Sequence, residues 1–415
     1  MSEIYDVAVI GGGPAGMMAA GRAAELGARV VLIEKNTKLG KKLLITGGGR
    51  CNITNAEVEV RKMVEKYGPK GKSLFGSFTR FGVEETIRFF EERKLPIKVE
   101  AENRAFPKSE KAEDVWKVMV NYLASGKVTI LKNSECTGIL KDGENITGIV
   151  LKSGSVLARR FIIATGGKSR PETGSTGEGF LWLTLLGHSV EESDPALVPV
   201  RIKEDWPKQL SGLSFPEARL TVLQDGKKQE SRIGKVLLTH FGVSGPLVLN
   251  MSKGIRELFK YAPVDLLLDI QPSMNEQQLD KKLVETLGKS LNKKIKNNLG
   301  DLVPIRMIST VLALSGTDPE IPGNALTKPE RMKITTIIKA LPMRVEGFLG
   351  VEKAIVTSGG VSLKEIDFKT MQSKFFNNLY LAGDILNFDR PSGGYSLQIC
   401  WTTGYLAGQS AAKKE

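Results

Sequence analysis

The chain has 415 residues and a formal net charge of +13 at pH 7, and 41% of its residues are hydrophobic and 25% charged. This composition is typical of a globular protein with about two or three domains. It excludes a membrane-spanning helix, because no run of about eighteen apolar residues is present, and no signal peptide is predicted. Cys51, Cys136 and Cys400 are isolated and lack metal-ligand spacing, so we expect a cytoplasmic protein with no bound metal.

The first part of the chain has the pattern of a βαβ unit. Val7–Ile10 is a short apolar run typical of a buried parallel strand, and the glycine pattern Gly11-x-Gly13-x-x-Gly16 follows it directly. Residues 17–26 are rich in helix-forming Ala, Met and Leu, and residues 28–33 form a second predicted strand. Strand, glycine turn, helix and strand in this order predict a nucleotide-binding α/β domain rather than a packed glycine turn alone.

Each residue of this βαβ pattern has a physical role. Gly11 permits a tight turn, Gly13 lets the backbone approach a pyrophosphate, and Gly16 lets the helix pack on the strand. Pro14 and Ala15 belong to the first helical turn, whose free N–H groups favour phosphate. Glu34 ends the second strand, where a carboxylate accepts hydrogen bonds from a ribose diol.

A glycine-rich loop follows the βαβ unit. Gly47-Gly48-Gly49 is a poor strand or helix former, so we expect its backbone to approach a ligand. Lys41 and Lys42 are placed to neutralise a diphosphate, and Arg50, Cys51 and Asn52 follow the glycines. For the Cys51 thiol we favour a packed position over a covalent or redox role.

Residues 57–125 are predicted to be mainly helical, and a second landmark comes after them. Phe161–Gly167 is an apolar strand that ends in Ala164, Thr165 and Gly166. By itself it could be an ordinary strand-to-loop turn. We assign residues 1–194 to the first part of the nucleotide-binding domain.

Residues 195–335 are predicted to be an inserted domain, β-rich over 195–270 and helical over 275–335. His240 lies in the segment Thr239–Pro246. It either caps a turn or satisfies a contact in the core, or it faces the ligand and binds or protonates substrate. The basic stretch Lys281–Lys296 is interpreted as a solvated helix face, with a polyanion-binding surface as the alternative.

Residues 336–415 are predicted to return to the first domain. Leu379–Asp384 is a strand ending in Gly383 and Asp384, and Gly393-Gly394 precede a helix predicted over residues 397–412. Asp384 can reach a ribitol hydroxyl, and the positive end of that helix favours an anionic reduced flavin. Segments near residues 11–16, 161–167 and 379–398 therefore predict one extended ligand, and FAD has that length.

These motifs together resemble the BaiN-like (YhiN-like) family of bacterial flavoproteins. The resemblance rests on Gly11–Gly16, Lys42–Asn55, Thr239–Pro246 and Gly393–Gln398. It implies an α/β fold with a Rossmann-like FAD-binding domain of the two-dinucleotide-binding type, interrupted by an insert that is part β-barrel-like and part helical. The cofactor-binding residues expected from the motifs and the resemblance are Gly11, Gly13, Pro14, Ala15, Gly16, Glu34, Lys35, Lys42, Gly48, Gly49, Arg50, Cys51, Asn52, Ala164, Thr165, Gly166, Gly383, Asp384, Gly393, Gly394, Tyr395 and Gln398.

The sequence thus predicts an FAD-dependent oxidoreductase that exchanges hydride between flavin N5 and a small organic substrate. His240, Arg390 and Tyr395 are the candidate substrate-side groups. The reaction is either reduction of an activated C=C bond with NADH or NADPH as a transient reductant, or oxidation of an amine-type substrate with O₂. Two other classes stay open, namely an FAD-dependent tRNA-modifying enzyme, motivated by the charge of +13, and a non-enzymatic electron-transfer or regulatory flavoprotein.

Overall fold

A computed structural model describes residues 4–288, 293–349 and 356–413. The helices are α1 Pro14–Glu25, α2 Lys41–Ile45, α3 Val60–Glu65, α4 Phe75–Phe78, α5 Val83–Glu92, α6 Ala112–Ser125, α7 Glu178–Leu185, α8 Trp206–Gln209, α9 Pro246–Phe259, α10 Glu276–Gly288, α11 Ile308–Ser315, α12 Lys328–Lys339 and α13 Tyr395–Ala411. The strands are β1 Tyr5–Ile10, β2 Val30–Ile33, β3 Thr54–Asn55, β4 Ile97–Glu100, β5 Arg104–Pro107, β6 Thr129–Leu131, β7 Cys136–Asp142, β8 Asn145–Leu151, β9 Gly154–Ile163, β10 Val190–Ala196, β11 Val200–Ile202, β12 Ser214–Gln224, β13 Lys227–Thr239, β14 Gly242–Ser244, β15 Val264–Asp269, β16 Leu341–Phe348, β17 Val356–Val361, β18 Ile366–Asp367, β19 Gln372–Ser373 and β20 Leu379–Leu381.

The chain divides into two compact units. The first comprises Met1–Ala196 and Val351–Glu415, and the second comprises Leu197–Gly350. The first unit is built on a parallel sheet with strand order β6-β2-β1-β9-β20, in which Val9 lies opposite Leu32 on one side and Ile162 on the other. Because both faces of such a sheet are covered, its central strands are continuous apolar runs. The predicted Rossmann-like fold is confirmed.

The first unit carries three smaller β elements. β7 and β8 form an antiparallel meander with β9, and β3, β5 and β4 form a separate sheet. β10 pairs antiparallel with β17. These two strands directly precede and follow the second unit along the chain. The sequence also predicts a strand over residues 354–357, and part of that stretch lies outside the described residues.

The second unit contains a closed antiparallel barrel of order β11-β14-β13-β12-β15-β16. Its inward positions are buried and apolar, as the alternation in β12 shows with Ala218, Leu220 and Val222. The unit begins at Leu197, close to the predicted boundary, but it ends at Gly350 rather than 335. The difference arises because β16 pairs with β11 and β15 and so completes the barrel. Helix α9 also lies inside the stretch that was predicted to be only β-rich.

Among the residues that the structure describes, no helix is long and apolar enough to cross a membrane. The basic stretch 281–296 falls partly on α10, and two of its lysines, Lys294 and Lys296, form ion pairs with Glu320. Exposed pairs of this kind contribute about 1 kcal/mol or less to stability. The solvated face and the polyanion-binding surface both stay predictions for this stretch.

Candidate functional site

The turn between β1 and α1 is as tight as the glycine pattern predicts. The Gly11 N–H donates to Ile33 O over 2.9 Å, and Gly11 has φ +105°, a conformation that disfavours side chains. A Cβ on Gly11 would lie 2.5 Å from Ala164 O, and a Cβ on Gly16 would lie 1.8 Å from Gly11 O. Gly11 and Gly16 therefore have no space for any side chain.

Gly13 differs from both of these glycines. A Cβ placed on it would meet no heavy atom within 4 Å, so the fold itself does not require glycine there. Gly13 is the N-cap of α1, Pro14 stands in the first turn, and no side chain caps the helix. The open space thus lies at a helix N-terminus with free N–H groups, which is the environment that favours a phosphate group.

The Glu34 carboxylate is buried beside that turn and anchors it. Its Oε2 accepts from the Gly12 N–H over 2.8 Å, and its Oε1 accepts from the Asn36 N–H and Nδ2, both over 2.7 Å. A carboxylate has about four acceptor positions, so one stays available for a sugar hydroxyl. Lys35, also predicted to bind cofactor, places its Nζ 2.7 Å from Glu178 and 2.6 Å from Thr176.

The Gly47–Gly49 loop has left-handed backbone at all three glycines, with φ between +56° and +87°. Cβ atoms on Gly48 and Gly49 would enter empty space, so a ligand can approach the backbone there. Asn52 Oδ1 is buried and lacks a hydrogen-bond partner among the described residues. The Cys51 thiol is fully buried, in keeping with the packed position favoured above, and burial raises its pKa to about 12.

The side chain of Arg50 makes contacts within the protein. Its Nη2 pairs with Glu100 at 2.5 Å and with Glu110 at 3.2 Å, and its guanidinium group stacks 4.1 Å from the Phe106 ring centre. Two carboxylates and an aromatic face attract the guanidinium toward the sheet of β3, β4 and β5. The Nε of Arg50 is buried without a hydrogen-bond partner among the described residues. Arg50 therefore anchors the glycine loop to that sheet and keeps one buried N–H unpaired, and its contact with a cofactor stays a prediction.

The carboxyl end of β9 contributes a second polar group. Ala164 is buried against Gly11, and Gly166 has φ +75° with Ser175 Oγ near its Cβ position. Thr165 Oγ1 is buried without a hydrogen-bond partner in the described part of the chain. An unsatisfied buried hydroxyl is costly, by about 1–3 kcal/mol, and so indicates a ligand that supplies the missing bond.

Asp384, Arg390 and Lys42 form a charged cluster at the end of β20. Arg390 Nη1 lies 3.0 Å from Asp384 Oδ1, and the Arg390 side chain is completely buried. Lys42 Nζ donates to Ser169 Oγ over 3.1 Å. Burial of the ammonium lowers the pKa of Lys42, and the Asp384 carboxylate opposes this while Arg390 adds to it. Cations and carboxylates are thus brought together beside Gly383.

The last helix begins at Tyr395, two residues before the predicted start. Gly393 and Gly394 have φ +116° and +102°, and a Cβ on Gly394 would lie 2.3 Å from the Thr54 carbonyl carbon. Helix α13 has no side-chain cap, so its first N–H groups are open to a ligand. The Tyr395 ring is buried and packs edge-on to Tyr67 at 5.8 Å, and burial raises its pKa.

Gln398 is bonded within the protein. Its Nε2 bonds with Gly82 O, Thr86 Oγ1 and Thr402 Oγ1, and its Oε1 accepts from Thr54 Oγ1. The side chain has no exposed surface. Gln398 therefore holds helix α13 against β3 and α5, and its contact with a cofactor stays a prediction.

His240 lies in the second unit, in the turn between β13 and β14. It is exposed, and its ring packs edge-on to Phe241 at 4.9 Å. This exposed position in a turn is not a core contact, and the role of His240 toward substrate stays a prediction. Within the described residues, no group of three or more His, Cys, Asp or Glu side chains could hold a metal ion.

The first unit fits FAD on structural grounds. Gly13, with unfilled space at its Cβ position, follows β1, and Thr165, with its buried unpaired hydroxyl, follows β9, so both lie at the carboxyl edge of the parallel sheet. The open backbone at Gly48 and Gly49 and the buried unpaired Oδ1 of Asn52 also suit a ligand. Dinucleotides bind at that edge in open α/β sheets.

A family model described as HI0933-like protein Rossmann domain matches residues 5–410. The chain belongs to this family. It is 29% identical to a 3-dehydro-bile acid delta(4,6)-reductase of Clostridium scindens, over 98% of this chain and 99% of that protein. It is 27% identical to a ribosomal RNA dihydrouridine synthase of Escherichia coli, over 98% of each.

Solved structures share the fold of this family member. The 3-ketosteroid-delta4-(5alpha)-dehydrogenase of Rhodococcus jostii matches with a TM-score of 0.57 and 16% identity, over 100% of this chain and 98% of that one. The 3-ketosteroid delta1-dehydrogenase of Sterolibacterium denitrificans gives 0.56 and 15%, over 99% and 100%. The protein is an FAD-dependent oxidoreductase, as predicted.

Several residues around the cofactor site were not expected from the sequence. Asn36 orients Glu34, Tyr67 supports Tyr395, and Thr173, Thr176 and Glu178 approach the end of β2. For Thr173, Thr176 and Glu178, the sequence signal was the pair of neighbouring glycines, Gly174 and Gly177, and both adopt positive φ in the structure. The contacts of Asn36 and Tyr67 join distant segments and left no local pattern.

Proposed function

We propose that this protein reduces a carbon–carbon double bond conjugated to a carbonyl group, using NADH or NADPH as the electron source. The observation that supports this best is the chemistry shared by two full-length relatives. A bile acid delta(4,6)-reductase and a ribosomal RNA dihydrouridine synthase differ in substrate, but both names describe hydrogenation of such a bond. FAD, when bound, supplies the hydride from N5 of its reduced ring.

The residues of the first unit suit this chemistry in two ways. The cations Arg390 and Lys42 and the N-terminus of α13 favour negative charge on a bound ligand. They would therefore stabilise an anionic reduced flavin and promote reduction of the flavin. Tyr395 offers a phenol, which is protonated at neutral pH and able to donate a proton to substrate carbon. His240 of the second unit is the other proton-donor candidate.

Stopped-flow mixing tests the proposal. The oxidised holoprotein should lose its flavin absorbance rapidly with NADH or NADPH, and an α,β-unsaturated ketone should restore it without O₂. If neither nicotinamide bleaches the flavin but an amine does so, the protein is an amine oxidase and the proposal fails. If no small donor reduces the flavin, the electron-transfer alternative is favoured instead.

RNA is the second candidate substrate, supported by the net charge of +13 and by relatives named ribosomal RNA dihydrouridine synthase. The substrate would then be a uracil base, whose C5=C6 bond is conjugated to a carbonyl group. Binding should weaken steeply with salt, because Lys and Arg contacts to phosphates release counterions. Incubation of the reduced protein with unmodified ribosomal RNA, followed by assay for dihydrouridine, distinguishes RNA from a small enone.

A further inference from the structure

Residues 168–178, here called the strap, connect β9 to α7 and run beside the cofactor site of the first unit. The strap is held by side chains of residues 35–42. Lys42 Nζ donates to Ser169 Oγ over 3.1 Å, and Asn36 Nδ2 donates to Thr173 O over 3.1 Å. Near its end, Lys35 Nζ reaches Thr176 Oγ1 at 2.6 Å and Glu178 Oε1 at 2.7 Å.

Both ends of the strap lie next to a carboxylate of the cofactor site. At one end, Lys42 faces Asp384, the acid at the end of β20. At the other end, Lys35 and Asn36 directly follow Glu34, and Asn36 itself donates to the Glu34 carboxylate. A ligand that extends from Glu34 past Gly13 toward Asp384 would therefore lie between the same two carboxylates as the strap.

The backbone of the strap is fitted closely to this position. Gly174 has φ +104°, and a Cβ on it would lie 2.5 Å from Asn36 Nδ2. Ser175 is buried, with its Oγ 3.1 Å from the Cβ position of Gly166. Contacts of this closeness require the strap to stay against the ends of β2 and β9, where the adenosine half of FAD is expected.

The contact between Lys35 and Glu178 is a partly exposed ion pair. The side chains of Lys35 and Glu178 are 27% and 38% exposed, so water and salt reach the pair. Partial burial raises the pKa of Glu178, but hydrogen bonds from Lys35 and Thr176 outweigh it and the net pKa is lowered. The pair is therefore charged at neutral pH and accessible to screening.

We propose that the strap is a clasp that retains the adenosine half of FAD, and that Lys35 and Glu178 are its closing pair. The pair acts on cofactor release rather than on hydride transfer, because it touches the strap and the end of β2. This role is independent of the substrate, so its failure would leave the proposed reduction of a C=C bond untouched.

The test is the rate of FAD release from the diluted holoprotein, followed by the rise in free flavin fluorescence. An exposed ion pair is worth up to about 1 kcal/mol, so Glu178→Gln and Lys35→Gln should each accelerate release about two- to fivefold. The double variant should release FAD no faster than either single variant, because the same contact is lost. The charge-swapped variant Lys35→Glu with Glu178→Lys should restore slow release.

Salt and a matched control sharpen the result. Raising KCl from about 0.05 to 0.5 M should speed release from the wild type more than from the double variant. Lys62→Gln breaks another ion pair of the first unit, Lys62–Glu59 at 2.6 Å, and should leave release unchanged. The proposal is overturned if Glu178→Gln releases FAD at the wild-type rate, or no faster than Lys62→Gln.

Discussion

Thr54 and Gln398 are 344 residues apart in the chain, and Thr54 Oγ1 donates a 2.5 Å hydrogen bond to Gln398 Oε1. Both side chains are completely buried. Trp401 Nε1 adds a 3.0 Å bond to Ile53 O, one turn further along α13. These bonds fix the start of the last helix against the strand that follows the glycine loop. The two motifs at opposite ends of the sequence are therefore one structural element of the cofactor site.

Replacement of Thr54 tests that linkage. Thr54→Val keeps the shape of the side chain but leaves Gln398 Oε1 buried without this donor, so we expect a loss of about 2 kcal/mol in unfolding free energy and weaker FAD binding. Thr54→Ser keeps the hydroxyl and removes one methyl group, at about 1 kcal/mol, and should bind FAD normally. Urea unfolding and FAD titration measure both effects. Equal FAD affinities for the two variants would refute the link.

Gly13 and Gly16 should respond to substitution in opposite ways. Gly13→Leu projects into open space at φ −77°, so the apoprotein should fold with nearly unchanged stability but stay colourless. Gly16→Ala places a Cβ 1.8 Å from Gly11 O and should destabilise the apoprotein itself. Flavin absorbance and the melting temperature of each apoprotein separate the two outcomes. A yellow Gly13→Leu protein would show that phosphate does not bind there.

The sequence predicted those parts of the fold whose signals are local. The Gly11–Gly16 turn, the apolar strand β9 and the alternating barrel strands are each visible within about ten residues. The end of the insert was misplaced because β16 alternates like any half-buried strand, and its partners β11 and β15 are remote in sequence.

The candidate site shows the same division. The backbone positions Gly13, Gly48 and Gly49 follow from conformational freedom alone, and the structure leaves them open. Arg50 and Gln398 also bond to residues on other segments, Glu100 and Thr54 among them, and no local pattern shows these contacts. A polar residue inside a motif can bind a ligand or satisfy the fold, and only the positions of its partners decide between the two.

Tyr395 can be tested as a proton donor separately from its structural role. Tyr395→Phe keeps the ring and removes the hydroxyl, so reoxidation of the reduced flavin by an enone should slow about a hundredfold while reduction by the nicotinamide stays unchanged. Tyr67→Phe is the control. It removes the 2.9 Å hydrogen bond that the Tyr67 hydroxyl donates to Tyr395 O, and it keeps the Tyr395 hydroxyl. Single-turnover kinetics of both half-reactions measure this. Equal slowing of both steps in Tyr395→Phe would indicate misplaced flavin instead of a lost donor.

His188 should make the stability of the protein depend on pH. Its buried ring bonds through Nδ1 to Glu365 Oε2 at 2.9 Å and through Nε2 to Ser373 Oγ at 3.0 Å. Burial lowers the pKa of His188, and the Glu365 carboxylate only partly opposes this. As pH falls through about 6.5, the unfolded chain gains a proton that the folded ring resists, so stability decreases until the lowered pKa is passed.

The variant His188→Gln removes this titration and keeps a side chain able to form hydrogen bonds at the same place. We expect its unfolding free energy, measured in urea with saturating FAD, to fall less between pH 7.5 and pH 5.5 than that of the wild type. Titrating groups that do not contact His188 are common to both proteins and cancel in the comparison, so the difference between the two pH slopes belongs to the His188–Glu365 pair. Parallel slopes would mean that the ring is protonated equally in the folded and unfolded states, and that Glu365 fully offsets its burial.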